Sequence, residues 1–281
     1  MKPGDAFGAE WSASLRDGPE AELRGWVDLA LEICDDTDAI AIRHFRRDMV
    51  VSQKPDRSWV TEADEAVERV IRERISSAHP DHGLVGEEYG AALGSADVRW
   101  YIDPIDGTHN FMRGVPHFAT LIAVERAGEL QAAVISAPAL GERWYGWRGG
   151  GAWSSGAPST VTPRRLHVST VAALADAQVV YASARDLLDS PLVPGFRTWI
   201  GSAWRDRGFG DFWGYTLVAE GAAEAMVEVE LSPWDIAAPM LIIEEAGGRV
   251  TDLEGRRSLT GPVFVTTNGL VHEATLDGLR G

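Results

Sequence analysis

The sequence predicts a layered α/β fold in two lobes. Three observations carry that prediction. Two amphipathic helical patterns stand near the start, short apolar runs bounded by turn residues follow, and the same alternation returns in the second half. A chain of 281 residues is long enough for one large domain or two lobes. Residues 1–17 read as a loose tail, 18–160 as the first lobe and 161–281 as the second.

From Glu20 to about Arg47, the residues Leu23, Trp26, Val27, Ala30, Ile33, Cys34, Ala41 and Phe45 recur at helical spacing and predict one long helix. Lys54, Pro55 and Asp56 mark a turn-rich stretch. Thr61-Glu62-Ala63-Asp64 then opens a second helix, with Ala66, Val67, Val70, Ile71 and Ile75 on its buried face. Leu84 and Val85 start a short strand that ends in Gly86-Glu87-Glu88. Trp100–Ile102, Thr120–Arg126 and Leu130–Ala137 read as strands of one sheet. Glu142–Gly156 reads as a hairpin whose Gly-rich turn lacks the helix-opening third glycine of a dinucleotide fingerprint. Val161–Val168 is a connector. Beyond it come strands near Gln178–Ala182 and Ala225–Glu228, and helices near Gly214–Glu220 and Ile236–Glu245.

Composition narrows the function. A formal charge of −16 argues against a nucleic-acid partner, which needs a basic surface. No run of 18 apolar residues predicts a membrane span, and the first 17 residues lack an apolar signal core. A single cysteine, Cys34, excludes an internal disulfide and fits a reducing cytoplasm; its place on an apolar helical face makes it core packing. His79 and His82 have a zinc-like spacing, but Pro80 and the lack of nearby cysteines predict an exposed loop.

The chemistry concentrates in Trp100-Tyr-Ile-Asp103-Pro104-Ile105-Asp106-Gly107-Thr108. Ile102 closes an apolar strand, and Asp103 and Asp106 fall on a turn shaped by Pro104. Two carboxylates so placed can face one point, where a cation relieves their repulsion. Gly107 and Thr108 follow at a helix start, where free amides favour a phosphate oxygen. Metal ligands, a phosphate cradle and a hydroxyl in one segment point to metal-assisted phosphoryl chemistry. An aspartyl-nucleophile phosphatase would need its second Asp two residues on, not three.

Asp64, Glu87 and Asp235 stand at comparable breaks between apolar elements. Each has a plain structural alternative: Asp64 and Asp235 as helix caps, Glu87 as an exposed loop residue. Together with Lys54–Asp64, Gly86-Glu-Glu88, Asp103-Pro-Ile-Asp-Gly-Thr108, Asn110-Phe111, the hairpin through Trp153, Trp234-Asp-Ile-Ala-Ala238 and Glu245-Ala-Gly-Gly248, they make the chain resemble the inositol-monophosphatase family of Mg²⁺-dependent phosphatases. The resemblance runs from about residue 20 to the end. It implies the αβαβα five-layer sandwich of the inositol monophosphatase and fructose-1,6-bisphosphatase type, and a homodimer. It assigns one Mg²⁺ to Glu87, Asp103 and the carbonyl of Ile105, and a second to Asp103, Asp106 and Asp235. A third, weaker ion would sit near Glu87. It implies that Thr108, hydrogen-bonded to Asp64, positions or deprotonates the attacking water, and that the amides of Gly107 and Thr108 receive the phosphate.

The resemblance implies a small-molecule phosphate monoester as substrate, with its alcohol selected elsewhere. Gly210-Asp211-Phe212, running into Gly214-Tyr215 and Leu217-Val-Ala-Glu-Gly221, is similar to the histidinol-phosphatase branch, whereas inositol phosphatases carry small residues there. Histidinol phosphate brings an ammonium and an imidazole. Carboxylates at Asp211 and Glu228 would pair with them through charge-assisted hydrogen bonds. Inositol monophosphatase, a broad sugar-phosphate phosphatase and a non-catalytic metal- or phosphate-binding regulator are the alternatives.

Overall fold

A computed structural model describes residues 19–48, 50–53, 59–156 and 162–281. The expected tail, 1–17, and the turn-rich Lys54–Asp56 lie outside the described residues. The chain divides into two compact units, 1–165 and 166–281.

In the first unit, α1 (Pro19–His44) and α2 (Glu62–Ala78) pack on each other and on one large sheet. Strands β1 (Val51–Gln53) and β2 (Trp59–Thr61) form a small antiparallel pair ahead of α2. The sheet comprises β3 (Gly83–Gly86), β4 (Gly90–Ala92), β5 (Val98–Asp106), β6 (Ala119–Arg126), β7 (Glu129–Ala137), β8 (Glu142–Trp147), β9 (Gly151–Gly156) and β10 (Arg164–Arg165), with a short α3 (Thr108–Met112) after β5. Its order is β10-β9-β8-β7-β6-β5-β3-β4, and only β3 and β5 pair in parallel. The predicted helical faces meet it as one core: Trp26, Val27, Ile33 and Cys34 of α1 and Val67, Ile71 and Ile75 of α2 pack with Trp100, Ile122, Val134 and Trp147 of the strands. Cys34 is fully buried, and burial pushes its thiol far above the usual range, as core packing requires.

Two expectations are corrected here. Asp103 to Asp106 is not a turn after the strand but the end of β5 itself, interrupted by a bulge: three residue steps from Asp103 to Asp106 oppose two from Leu121 to Ala119. The Thr120 hydroxyl, facing that bulge, donates to the Pro104 carbonyl at 2.8 Å and satisfies it. His79 and His82 are not an exposed loop pair either. Their rings are half-buried and stacked at 4.4 Å, and His82 Nδ1 accepts the Trp100 indole N–H at 3.0 Å.

The second unit is a three-layer arrangement. Its sheet, ordered β12-β11-β13-β15-β14, contains β11 (Gln178–Tyr181), β12 (Arg205–Arg207), β13 (Ala225–Val229), β14 (Arg249–Thr251) and β15 (Val263–Thr267). β13 alternates its faces. Ala225 and Val227 join the core with α5 (Phe196–Ser202) and α8 (His272–Arg280), beside the short α4 (Ala184–Leu188). Met226 and Glu228 face α6 (Asp211–Ala219), which packs on α7 (Pro233–Glu245). α6 lies close because residue 214 is glycine: a Cβ there would overlap the Phe209 carbonyl and the Met226 sulfur. No helix among the described residues is long and apolar enough to cross a membrane.

Candidate active site

In the first unit the candidate residues hang on two elements. Thr61 caps α2, and Asp64 closes a capping box by accepting the Thr61 amide at 2.8 Å and the Thr61 hydroxyl at 2.5 Å, both on Oδ2. The cap and the candidate site residue are therefore one and the same side chain. Its other oxygen, Oδ1, faces the Thr108 hydroxyl at 3.3 Å. Thr108 is set by Gly107, whose left-handed φ of 82° turns the chain from β5 into α3, and its hydroxyl donates to the Ile105 carbonyl at 2.9 Å. Asp64, Ile105 and Thr108 thus converge. Burial of Asp64, opposed by its Thr61 hydrogen bonds and assisted by the charge of Glu87, raises its pKa to about 6.

Asp103 is almost fully buried at the bulge, where its Oδ1 accepts the Ile105 amide at 3.0 Å. Asp106 and Glu87 are half-buried, and Glu87 follows β3 with its amide donating to the Ile102 carbonyl at 3.2 Å. The donors offered by Glu87, Asp103, Asp106 and the Ile105 carbonyl are all oxygen, the set a hard cation such as Mg²⁺ takes and one without the sulfur or imidazole a softer ion prefers. In donor chemistry they fit. Among the described residues, no three His, Cys, Asp or Glu side chains are already gathered closely enough to hold an ion. His109 is exposed beside them.

In the second unit, Asp235 repeats the cap pattern: it is the third residue of α7 and accepts the Ser232 amide at 2.8 Å on Oδ2. Seven residues earlier Glu228 is buried on the α6 face of β13, its Oε2 accepting the Tyr215 hydroxyl at 2.9 Å. Asp211 starts α6 with a φ of 52°, a region sparsely populated by side-chain-bearing residues and tolerated best by Asp and Asn. That turn aims the Asp211 amide at Glu228. Burial first, then the charges of Asp211 and Asp235, push Glu228 up to about 8 against the pull of these hydrogen bonds. The charges of two acids, Asp211 and Asp235, thus act on one buried carboxylate. Tyr215, which fixes that carboxylate, stood in the Gly-Tyr pattern of the sequence, but only its i,i+4 place relative to Asp211 hinted that the two face the same way. Glu68, Arg72 and Thr120 carried no local signal.

Comparison with known proteins identifies the family. The chain matches the model of the inositol monophosphatase family over residues 23–279. It is 43% identical to a histidinol-phosphatase of Streptomyces coelicolor over 90% of this chain and 96% of that protein. It is 41% identical to a histidinol-phosphatase of Mycobacterium tuberculosis, again over 90% and 96%. Among solved structures an IMPase of Thermotoga maritima superposes with a TM-score of 0.81 at 30% identity, covering 91% of this chain and 96% of that one. A match of this extent, on a fold of mixed α/β layers with these motifs in order, has one conclusion: the chain belongs to the inositol monophosphatase family.

Proposed function

We propose that the chain is a Mg²⁺-dependent histidinol-phosphatase, which hydrolyses L-histidinol phosphate to L-histidinol and phosphate in histidine biosynthesis. The observation that carries the substrate is the 41–43% identity, over 90% of the chain, to proteins named histidinol-phosphatase. The buried Glu228 and the half-buried Asp211 support it, since a cationic alcohol gives these acids a partner that neutral inositol hydroxyls do not.

In this reading Glu87, Asp103, Asp106, Asp235 and the Ile105 carbonyl hold the Mg²⁺ ions, two or three per site. Bound Mg²⁺ supplies neutralisation of the phosphate charge and a lowered pKa for the attacking water. The chain does the rest. Thr108 turns its hydroxyl proton from the Ile105 carbonyl to Asp64 Oδ1, 3.3 Å away, and presents a lone pair to the water. As the water oxygen forms its bond to phosphorus and the ester P–O bond breaks, the water proton passes to Thr108 and the Thr108 proton to Asp64. Asp64, a carboxylate above about pH 6, then returns that proton to solvent or to the departing alkoxide. The amides of Gly107 and Thr108 receive the phosphate. A homodimer and a cytoplasmic location complete the reading, on the resemblance and the lone cysteine.

The test is selectivity in Asp211→Ala. Phosphate release is followed from L-histidinol phosphate and inositol 1-phosphate. The variant is expected to raise KM for the histidinol ester tenfold or more while leaving the slow inositol reaction unchanged. Equal effects on both esters would remove Asp211 from substrate selection.

A further inference from the structure

Glu68 is fully buried, and no step above uses it. It stands one turn beyond Asp64 on α2. Its Oε2 accepts the amide of Glu88 at 2.7 Å, and its Oε1 accepts the amide of Tyr89 at 3.3 Å and Nε of Arg72 at 2.7 Å. Arg72 also donates to the Gly90 carbonyl, and its guanidinium lies 5.8 Å from the centre of the Tyr89 ring. The Tyr89 hydroxyl donates to the Glu65 carbonyl at 3.3 Å. On the other side of Glu87, Gly86 presses against the same carboxylate: a Cβ at position 86 would overlap Glu68 Oε1. The backbone after Glu87, at Glu88, Tyr89 and Gly90, is therefore tied to α2 through Glu68 and its partner Arg72, and Gly86 before it packs against the same carboxylate.

A buried carboxylate is expensive unless charge-paired and hydrogen-bonded, and an apolar residue would fill this place at lower cost to folding. What the carboxylate gives, and an apolar residue cannot, is two directed acceptors for the amides that follow Glu87. α2 thereby carries Asp64 itself and fixes Glu87 through Glu68, one turn away. We infer that Glu68 is a positioning residue: with Arg72 and Gly86 it holds Glu87 in the orientation that binds metal, in register with Asp64. This rests on the metal role proposed above for Glu87.

The experiment is a calorimetric Mg²⁺ titration of protein stripped of divalent ions, without substrate, on wild type, Glu68→Gln and Glu87→Gln. It is paired with kcat and KM at low and saturating Mg²⁺. Loss of an outer partner of a ligand typically weakens metal binding by about 10–100-fold. Glu68→Gln is expected to fall in that range, to recover most of its kcat at saturating Mg²⁺, and to keep the wild-type KM for the ester there. Glu68→Gln with wild-type Mg²⁺ affinity, alongside a weakened Glu87→Gln, overturns the positioning role while the metal role stands. Wild-type affinity in Glu87→Gln overturns the metal role, and the positioning role with it. Should Glu68→Gln not fold, Arg72→Lys takes its place: it keeps the charge and loses the second donor, so weakened Mg²⁺ binding is expected and unchanged binding overturns the inference.

Discussion

Replacing Glu228 by Gln probes the buried acid centre of the second unit. Gln keeps the shape and an acceptor for the Tyr215 hydroxyl but cannot ionise. In the folded protein the Glu228 carboxyl titrates at about 8, against 4.5 for the unreacted side chain, chiefly because it is buried. A carboxyl whose folded pKa is raised takes up a proton on folding. Its contribution is therefore greatest at low pH, falls as pH rises above the unfolded value, and is lost once pH passes the folded one. Over the whole shift this amounts to about 5 kcal/mol, and between pH 5 and pH 8 to about 3.5 kcal/mol. Urea unfolding at pH 5 and pH 8, on protein stripped of divalent ions and without substrate, measures it as the difference between wild type and Glu228→Gln. The variant should gain on wild type by roughly that amount as pH rises. A difference that does not change with pH would refute the placement of Glu228 as a buried, proton-holding acid.

The remaining predictions follow from equally specific contacts. His272 is fully buried between the hydroxyls of Thr267 (2.9 Å from Nδ1) and Thr251 (3.0 Å from Nε2), and burial followed by the charge of Arg249 depresses its pKa to about 4. The neutral ring is the folded form, so its stabilisation is complete above the unfolded value of 6.5 and is lost as pH falls through 4, by up to about 3 kcal/mol. The acid unfolding midpoint of His272→Gln should accordingly lie lower relative to its neutral-pH stability, and an identical pH profile would contradict this. Thr108→Val should lower kcat by ~10²-fold or more with KM nearly unchanged, and Thr108→Ser should restore most of it; equal losses in both would deny the hydroxyl its role. Arg143, buried at 1% exposure, donates to Asp35 at 2.7 Å, Asp38 at 2.5 Å and Ser136 at 2.9 Å, tying α1 to β7 and β8. Arg143→Met leaves the half-buried Asp38 carboxylate with the Ser136 hydroxyl but no charge partner and should cost up to about 3–5 kcal/mol in urea unfolding; a loss under about 1 kcal/mol would mean the pairs contribute little.

The long elements were legible because their signals are local. The apolar stripe from Leu23 to Phe45 and the Thr61–Asp64 cap needed no distant partner, and α1 and α2 end within a few residues of where those patterns end. The course of Asp103–Asp106 was not legible. Pro104 reads as a turn, and what keeps the segment in the sheet is the hydroxyl of Thr120, sixteen residues away. His79 and His82 failed for the same reason, since Trp100 supplies their partner from another strand. Short pieces such as β4, β12 and α4 have too few residues to show a period. In the site, Asp64 and Asp235 could each be read as a cap or as a functional acid, and the geometry makes both true caps, with the second oxygen of Asp64 still facing Thr108. Glu68 and Arg72 look in the sequence like an ordinary i,i+4 surface pair. Only the fold reveals that the carboxylate is buried and that it ends on the amides after Glu87.

The most direct measurement is kcat/KM for phosphate release from L-histidinol phosphate and inositol 1-phosphate by the purified wild-type chain, with Mg²⁺ and again with excess EDTA. The account predicts turnover that depends on Mg²⁺ and favours the histidinol ester by at least ~10²-fold, the discrimination expected when the acids that select the alcohol lose their cationic partner. Equal rates on both esters would contradict the substrate, and full activity in EDTA would contradict the chemistry.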